Sequence, residues 1–204
     1  MSKSRTFFLR LLSFLPLLIL LRMIFGFSSQ DAETSGSLSF EISLFIVRVL
    51  SPLFSAVTNE NSIISPLLPE IMEETSLFAP YLPTATSEDI LIQRAKIIHV
   101  FVRKAAHMTE YFLLTLSLHL PLYFYLKKKL SFNKRLILSF FITVCIAATD
   151  EFYQTTIPGR SGNFTDICID STGALFATIF LALFFYFKNR KKQKRSVKKQ
   201  QRLA

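Results

Sequence analysis

The chain has 204 residues, of which half are hydrophobic and 22 are phenylalanine. This length fits one domain or one bundle of membrane helices, and the apolar content excludes low-complexity disorder and collagen. Lys and Arg outnumber Asp and Glu by 24 to 14, giving a formal net charge of +10, and two cysteines are too few for a disulfide scaffold.

Apolar segments recur along the chain after a short N-terminal segment, residues 1–6. A helix needs about 20 residues to cross a hydrocarbon core of roughly 30 Å. The sequence therefore predicts an all-α integral membrane bundle of four transmembrane helices. A cleaved signal peptide is the alternative for the first segment, but Arg22 within it and the lack of a clear cleavage site favour a retained span. The predicted spans are 7–27, the inner part of a helix over 97–126, 136–156 and 164–187.

The basic residues predict the orientation of the bundle. Sixteen of the 24 Lys and Arg lie in three segments without acids, which are residues 1–6, the loop 127–135 and the tail 188–204. Because cytoplasmic segments near membrane spans carry an excess of Lys and Arg, both termini and this loop are predicted to be cytoplasmic. Nine of the 14 acids lie in the extracytoplasmic loop 28–96, and a short outer loop is predicted over 157–163. This distribution indicates a multi-pass protein of the cell membrane and argues against a nucleic-acid binder.

The long outer loop contains an apolar stretch, about 40–57, in which Glu41 and Arg48 lie seven residues apart. This pattern predicts a short amphipathic helix on the membrane surface or against the bundle. A fifth span is the alternative, but Pro52 interrupts it and a fifth span would invert every later loop. The rest of the loop is rich in Pro, Ser, Thr and acids and is predicted to be extended or partly disordered.

Ionisable residues collect at the outer ends of the last three spans. Counted from the inner boundary at about 1.5 Å per residue, Glu110, Asp150 and Asp170 all lie roughly 22–27 Å up their helices. We therefore expect three carboxylates from three helices to meet at one level, in the outer third of the bilayer. The predicted ligand-binding residues at this level are Arg103, Lys104, His107, Glu110, Tyr111, Asp150, Glu151, Gln154, Arg160, Asp166 and Asp170.

Five further residues are predicted to shape this cluster. A turn at Pro158 and Gly159 would return Arg160 over the acids. Gly173 and Ala177 lie four residues apart, and small residues at this spacing let helix backbones approach closely. Asn163 is placed to cap the last helix.

Three cations face five acids in this cluster, and His107 is undecided between its charged and neutral forms. Buried charges are tolerated when they are paired or line a wet cavity, so the excess can be balanced by a bound cation, a protonated carboxyl group or a protonated His107. The cluster can serve as structural glue, as a binding site or as a catalytic site. For catalysis the candidates are His107, Glu110, Asp150 and Glu151. No zinc spacing, P-loop or nucleophile elbow occurs, so no cofactor is evident, although a divalent cation fits the ligand types.

Three pieces of the sequence resemble the VanZ-like membrane proteins of bacteria. They are FSSQ at 27–30, RKAAHMTEY at 103–111 and TDEFYQTTIPGRSGNFTDICIDSTGA at 149–174. The resemblance covers about 17–187 and implies a cell-envelope protein related to an accessory factor that lowers susceptibility to the glycopeptide teicoplanin. All eleven residues of the predicted binding set match the family's motif, together with Pro158, Gly159 and Gly173.

The leading hypothesis is an envelope protein that binds an amphiphile or a lipid-linked wall component and contributes to teicoplanin tolerance. Arg103, Lys104 and Arg160 would contact anionic groups, and the acids would hold an ammonium group or a cation. The rivals are an intramembrane metal-dependent hydrolase or transferase acting on a lipid-linked phosphate, an ion-coupled transporter, and a scaffold for partner proteins. The expected partners are the lipid bilayer and this ligand, without nucleic acid, and the oligomeric state stays open.

Overall fold

A computed structural model describes residues 3–57 and 87–201, and every regular element within these ranges is an α-helix. The all-α fold class is thereby confirmed. The helices are α1, Lys3–Leu12; α2, Leu15–Ser28; α3, Ala32–Val57; α4, Ser87–Leu126; α5, Phe132–Gln154; and α6, Phe164–Gln201.

Three helical stretches are long and apolar enough to cross a membrane, and they support a membrane protein. They are Phe7–Ser28, which joins α1 and α2, Phe132–Gln154 and Phe164–Arg195. Helix α4 is not among them, because its apolar part, 112–126, is shorter than a full span and charged residues precede it. Four spans therefore stay a prediction, as does the fixed orientation of the termini.

Several helices extend beyond their predicted bounds. Helix α3 begins at Ala32 and continues through Pro52, so the segment 40–57 is part of a longer helix whose position on a membrane is untested. Helix α4 begins at Ser87, so the end of the predicted outer loop is helical. Helix α6 continues through most of the basic tail. The part of the outer loop predicted to be extended or partly disordered lies largely outside the described residues.

Local sequence accounts for several helix boundaries. Pro16 stands in the first turn of α2, where its missing N–H needs no partner. Ser131 caps α5 by accepting a hydrogen bond from the Lys134 amide. Asn163 Oδ1 accepts a hydrogen bond from the Thr165 amide at 3.0 Å, which confirms the predicted cap of α6.

The chain forms two compact units, Met1–Asp31 with Ala106–Ala204, and Ala32–Ala105. In the first unit, α2, the second part of α4 and α5 enclose an apolar core. Its buried members are Leu17, Ile24, Tyr111, Leu114, Leu118 and Ala147. In the second unit Val47 and Ala95 are buried, and an exposed ion pair joins Arg48 Nη2 to Glu88 Oε1 at 3.0 Å.

Candidate functional site: a buried carboxylate cluster

A completely buried carboxylate lies near the end of α5. Asp150 has no exposed surface, and its Oδ2 atom accepts a hydrogen bond from the Ser28 hydroxyl at 2.8 Å. The same oxygen accepts a hydrogen bond from Gln154 Nε2 at 3.1 Å, one helical turn further along. Ser28 is the last residue of α2, so these bonds connect the ends of two apolar helices.

Arg160 reaches back to this carboxylate through Gln154. Gly159 has a φ of 74°, which is the left-handed region that glycine enters without steric cost, and it turns the chain after α5. The guanidinium then donates through Nη1 to Gln154 Oε1 at 3.0 Å and to the Ser28 carbonyl at 3.3 Å. Nη2 donates to the Phe27 carbonyl at 3.4 Å. The predicted return of Arg160 toward the acids is confirmed, whereas Pro158 itself is exposed in the turn.

A second buried carboxylate comes from α6. Asp170 is 2% exposed, and it interacts electrostatically with Asp150, Glu151, Asp166 and Glu110. The structure thus brings together acids from α4, α5 and α6, as the common depth along the helices predicted. Asp150 Oδ1 and Asp170 Oδ1 are both buried, and neither has a hydrogen-bond partner within the described ranges. We call Ser28, Glu110, Tyr111, Asp150, Gln154, Arg160 and Asp170 the Asp150 cluster.

Tyr111 lies beside the buried acids of the Asp150 cluster. It is fully buried, and its hydroxyl interacts with Asp150 without the geometry of a complete hydrogen bond. One turn before it, His107 Nδ1 lies 3.8 Å from Glu110 Oε2, with both side chains about one fifth exposed. This pair is an ion pair only when the imidazole is protonated.

Close backbone contact between α4 and α6 holds these side chains together. A Cβ atom at Gly173 would collide with the carbonyl group of Met108, so only glycine fits at this crossing. Ala177, one turn further, is completely buried. The predicted small-residue contact is therefore present, between α6 and α4.

Glu151 lies beside the cluster and bonds to the loop that connects α5 to α6. Its Oε1 atom accepts a hydrogen bond from the Asn163 amide at 2.6 Å, which ties the end of α5 to the start of α6. Gly162 packs against the Glu151 carbonyl and the Thr155 side chain, where a Cβ atom would be too close. Asp166 is half-buried in the first turn of α6, where the helix dipole favours an acid.

Two predicted cations fall in the other compact unit. Arg103 and Lys104 are half-buried on α4, within the unit Ala32–Ala105. Their predicted role at the carboxylates stays a prediction.

Ser28 is a site residue that the sequence analysis did not assign. Its signal was the FSSQ piece at the end of the first span, which belongs to the family resemblance. Two buried hydroxyls were also missed, where Thr115 Oγ1 donates to Thr143 Oγ1 at 3.1 Å between α4 and α5.

Metal ligation is not favoured by the geometry. Within residues 3–57 and 87–201, no group of three or more His, Cys, Asp or Glu side chains is arranged to hold a metal ion. A divalent cation in this cluster stays a prediction that no described contact supports.

Comparison with known proteins gives one family. The VanZ/LLP1 family model matches residues 13–186, which include every residue of the Asp150 cluster. No curated protein and no solved structure matches the chain.

Proposed function

The chain belongs to the VanZ/LLP1 family, and from this premise we propose that its Asp150 cluster binds the cationic head of an amphiphile or of a lipid-linked cell-wall component. The observation that carries the proposal is the pair of buried carboxylates on α5 and α6. Asp150 and Asp170 each keep one oxygen without a hydrogen-bond partner in the described part of the chain. Two ionised carboxylates in a medium of low dielectric repel each other, and an ammonium group between them would relieve that repulsion.

Exposed aromatic residues beside the cluster support an amphiphilic ligand. Phe152 at the end of α5 and Phe164 at the start of α6 are 74% and 77% exposed. Aromatic side chains at the ends of membrane helices lie at the level of the headgroups. A ligand with a charged head and an alkyl part would place the head at the acids and the alkyl part against these rings.

Arg160 would supply the anion contact of the same site. Its guanidinium is half-buried and donates to the neutral oxygens of Gln154, Ser28 and Phe27. An anionic group is a stronger acceptor than these oxygens, because charge-assisted hydrogen bonds are about twice as strong as neutral ones. A zwitterionic headgroup would therefore find a partner for each of its charges.

We also propose that α4 is the fourth span of a cell-membrane protein with both termini in the cytoplasm. The Asp150 cluster then lies at the outer side of the membrane, where wall components and glycopeptides are found. Binding there would contribute to tolerance of teicoplanin, as the family resemblance implies. Arg103 and Lys104 lie about two turns before Tyr111 on α4, and their contact with anionic groups stays a prediction.

The test is purification of the full chain with its native lipids, followed by mass spectrometry of the co-purifying molecules. Wild type would be compared with Asp150→Asn and Arg160→Ala, and with Glu33→Gln as a control that changes an exposed acid in α3. We expect one amphiphile in the wild-type and control proteins, reduced at least about tenfold in the two cluster variants. Expression of the same four proteins should raise teicoplanin tolerance only for wild type and Glu33→Gln.

The opposite result would contradict the binding proposal. If folded Asp150→Asn and Arg160→Ala carry the same small molecules as wild type and melt at lower temperature, the cluster serves only to join helices.

An ion-coupled transporter is the second candidate, because one polar stripe runs the length of α5. Gln154, Asp150, Thr143, Ser139 and Arg135 are all buried along this helix. Titratable groups inside a membrane helix often mark ion pathways. Proteoliposomes discriminate between the two functions: a pH-driven flux that Asp150→Asn abolishes, together with an unchanged lipid profile, favours the transporter.

A further inference from the structure

An apolar pocket lies at the end of the first compact unit that is remote from the Asp150 cluster. It is an open groove of about 710 Å³ between α2, α4 and α6, within the range typical of ligand pockets. Leu and Phe side chains form most of its wall, and Ser117, His119, Tyr123 and Lys188 are its polar members. The carboxylates do not line this pocket, so a molecule bound here would be distinct from the ligand of the Asp150 cluster.

His119 is an unsatisfied polar side chain in the wall of this pocket. It is 4% exposed, and neither Nδ1 nor Nε2 has a hydrogen-bond partner within the described residues. Its ring packs against Phe132 and Phe185, with centroids 5.8 Å and 6.4 Å away, so aromatic edges and faces surround it. A buried polar group without a partner is costly, so a ligand that accepts a hydrogen bond here would remove that cost.

Lys188 brings positive charge to the same pocket. Its ammonium group lies over the rings of Phe184 and Phe185, at 5.9 Å and 5.7 Å from their centroids. The residues that follow on α6 include Arg190, Lys191 and Lys192. Lysines at the inner end of a membrane helix attract the anionic headgroups of the cytoplasmic leaflet.

We propose that this pocket binds one acyl chain of an anionic glycerophospholipid. The apolar wall holds the chain, the His119 ring turns so that a nitrogen now covered by protein donates a hydrogen bond to the ester carbonyl, and Lys188 pairs with the phosphate. Acyl chain, ester and phosphate follow one another in such a lipid. The apolar wall, His119 and Lys188 follow one another in the same order along the pocket. His119 lies about two helical turns before the basic loop that begins at Lys127, on the side of the bundle where the tail lysines also lie.

The test is native mass spectrometry of the full chain titrated with dioleoyl phosphatidylglycerol, and separately with dioleoyl phosphatidylcholine. We expect one phosphatidylglycerol to bind to wild type at least about tenfold more tightly than phosphatidylcholine. Lys188→Gln should bring the two lipids to within about twofold of each other. His119→Phe should keep the preference and weaken both lipids about five- to tenfold, because one hydrogen bond is lost. Lys191→Gln removes the same charge from an exposed position and should bind as wild type does.

Three results would overturn the proposal. Equal binding of both lipids by wild type and all variants would mean ordinary lipid around the helices. Tighter binding of undecaprenyl phosphate, which has no ester carbonyl, with no effect of His119→Phe, would assign the pocket to a different lipid. If His119→Phe does not fold, Leu120→Trp fills the pocket from a lining residue that is 43% exposed. Wild-type affinity in Leu120→Trp would then exclude the pocket as the site.

Discussion

Gln154 orients the polar contacts of Asp150, the most buried acid among the described residues. Its amide nitrogen donates to Asp150 Oδ2, and its amide oxygen accepts from Arg160 Nη1. Because an amide offers a donor on one side and an acceptor on the other, Arg160 fixes which end faces the carboxylate. The positive charge thus stabilises Asp150 through a neutral neighbour as well as through space.

The Ser28 hydroxyl should contribute measurably to stability. Ser28→Ala removes a hydrogen bond to a buried carboxylate and leaves Oδ2 with Gln154 alone. We expect the free energy of unfolding to fall by about 1 kcal/mol. The upper bound is about 3 kcal/mol, because the acceptor is charged. This corresponds to a fall in melting temperature of roughly 2–4 °C per kcal/mol for a chain of this size.

Circular dichroism melts in detergent micelles would measure this change. Ser29→Ala is the matched control, since Ser29 is exposed and its hydroxyl bonds only to the Gly26 carbonyl of its own helix. The control should change stability by less than about 0.5 kcal/mol. Equal melting temperatures for Ser28→Ala and wild type would contradict the importance of this bond.

The sequence predicted the acids together with Gln154 and Arg160, but it did not predict the Ser28 hydroxyl as a partner of Asp150. Asp150 and Asp170 were identified because charge inside an apolar segment is rare and depth can be counted along a helix. Ser28 lacked such a signal, since a serine at the end of a span is common and its burial depends on how α2 packs against α5. Glu151 was assigned to the ligand, whereas its hydrogen bond to the Asn163 amide depends on a loop conformation that composition does not specify.

At the scale of elements, the crossing of α4 and α6 depends on one glycine. Gly173→Ala would place a methyl group against the Met108 carbonyl, where neither backbone can move without shifting its helix. We expect destabilisation of about 1–3 kcal/mol, the usual cost of overpacking, and a weaker Asp150 cluster because Asp170 lies one turn away. The melting temperature and the lipid profile should both change.

Gly26→Ala provides the control for this substitution. Gly26 lies within α2, and a Cβ atom there would meet nothing within 4 Å. Alanine is favoured over glycine in a helix by about 1 kcal/mol, so this variant should be as stable as wild type or more stable. Similar destabilisation by both glycine substitutions would show that the α4–α6 crossing is not the sensitive element.

The sequence predicted which segments are helical more reliably than it predicted where each helix begins and ends. The apolar runs and the Asn163 cap predicted the cores of α5 and α6. The extension of α6 through the tail was missed because the tail was interpreted by charge, although Lys, Arg and Gln are strong helix formers. The start of α4 was missed in a similar way, although Glu88 and Asp89 in its first turn complement the helix dipole.

At the scale of the whole molecule, the fourth span and the Asp150 cluster depend on each other. The uncharged part of α4, 112–126, covers only about 22 Å, which is less than a hydrocarbon core of roughly 30 Å. Helix α4 completes the crossing only if Tyr111 and Glu110 also lie within the membrane. Burial of Tyr111 against the core and the partial burial of Glu110 make that depth tolerable.

The two topologies make opposite predictions for the basic segments. With α4 as a span, the N-terminus, the loop 127–135 and the C-terminus are all cytoplasmic. With only the three apolar stretches as spans, the same loop and the C-terminus would lie outside when the N-terminus is inside.

Reporter fusions distinguish the two topologies. We expect a fluorescent protein that matures only in the cytoplasm to fluoresce when it is fused at either terminus or inserted in 127–135. A phosphatase that is active only outside should be inactive at the same three positions. A phosphatase inserted beside Glu33 should be active in both topologies and serves as the control. An active phosphatase at the C-terminus would exclude α4 as a span, and it would contradict the Ser28–Asp150 hydrogen bond, because the ends of α2 and α5 would then lie on opposite sides of the membrane.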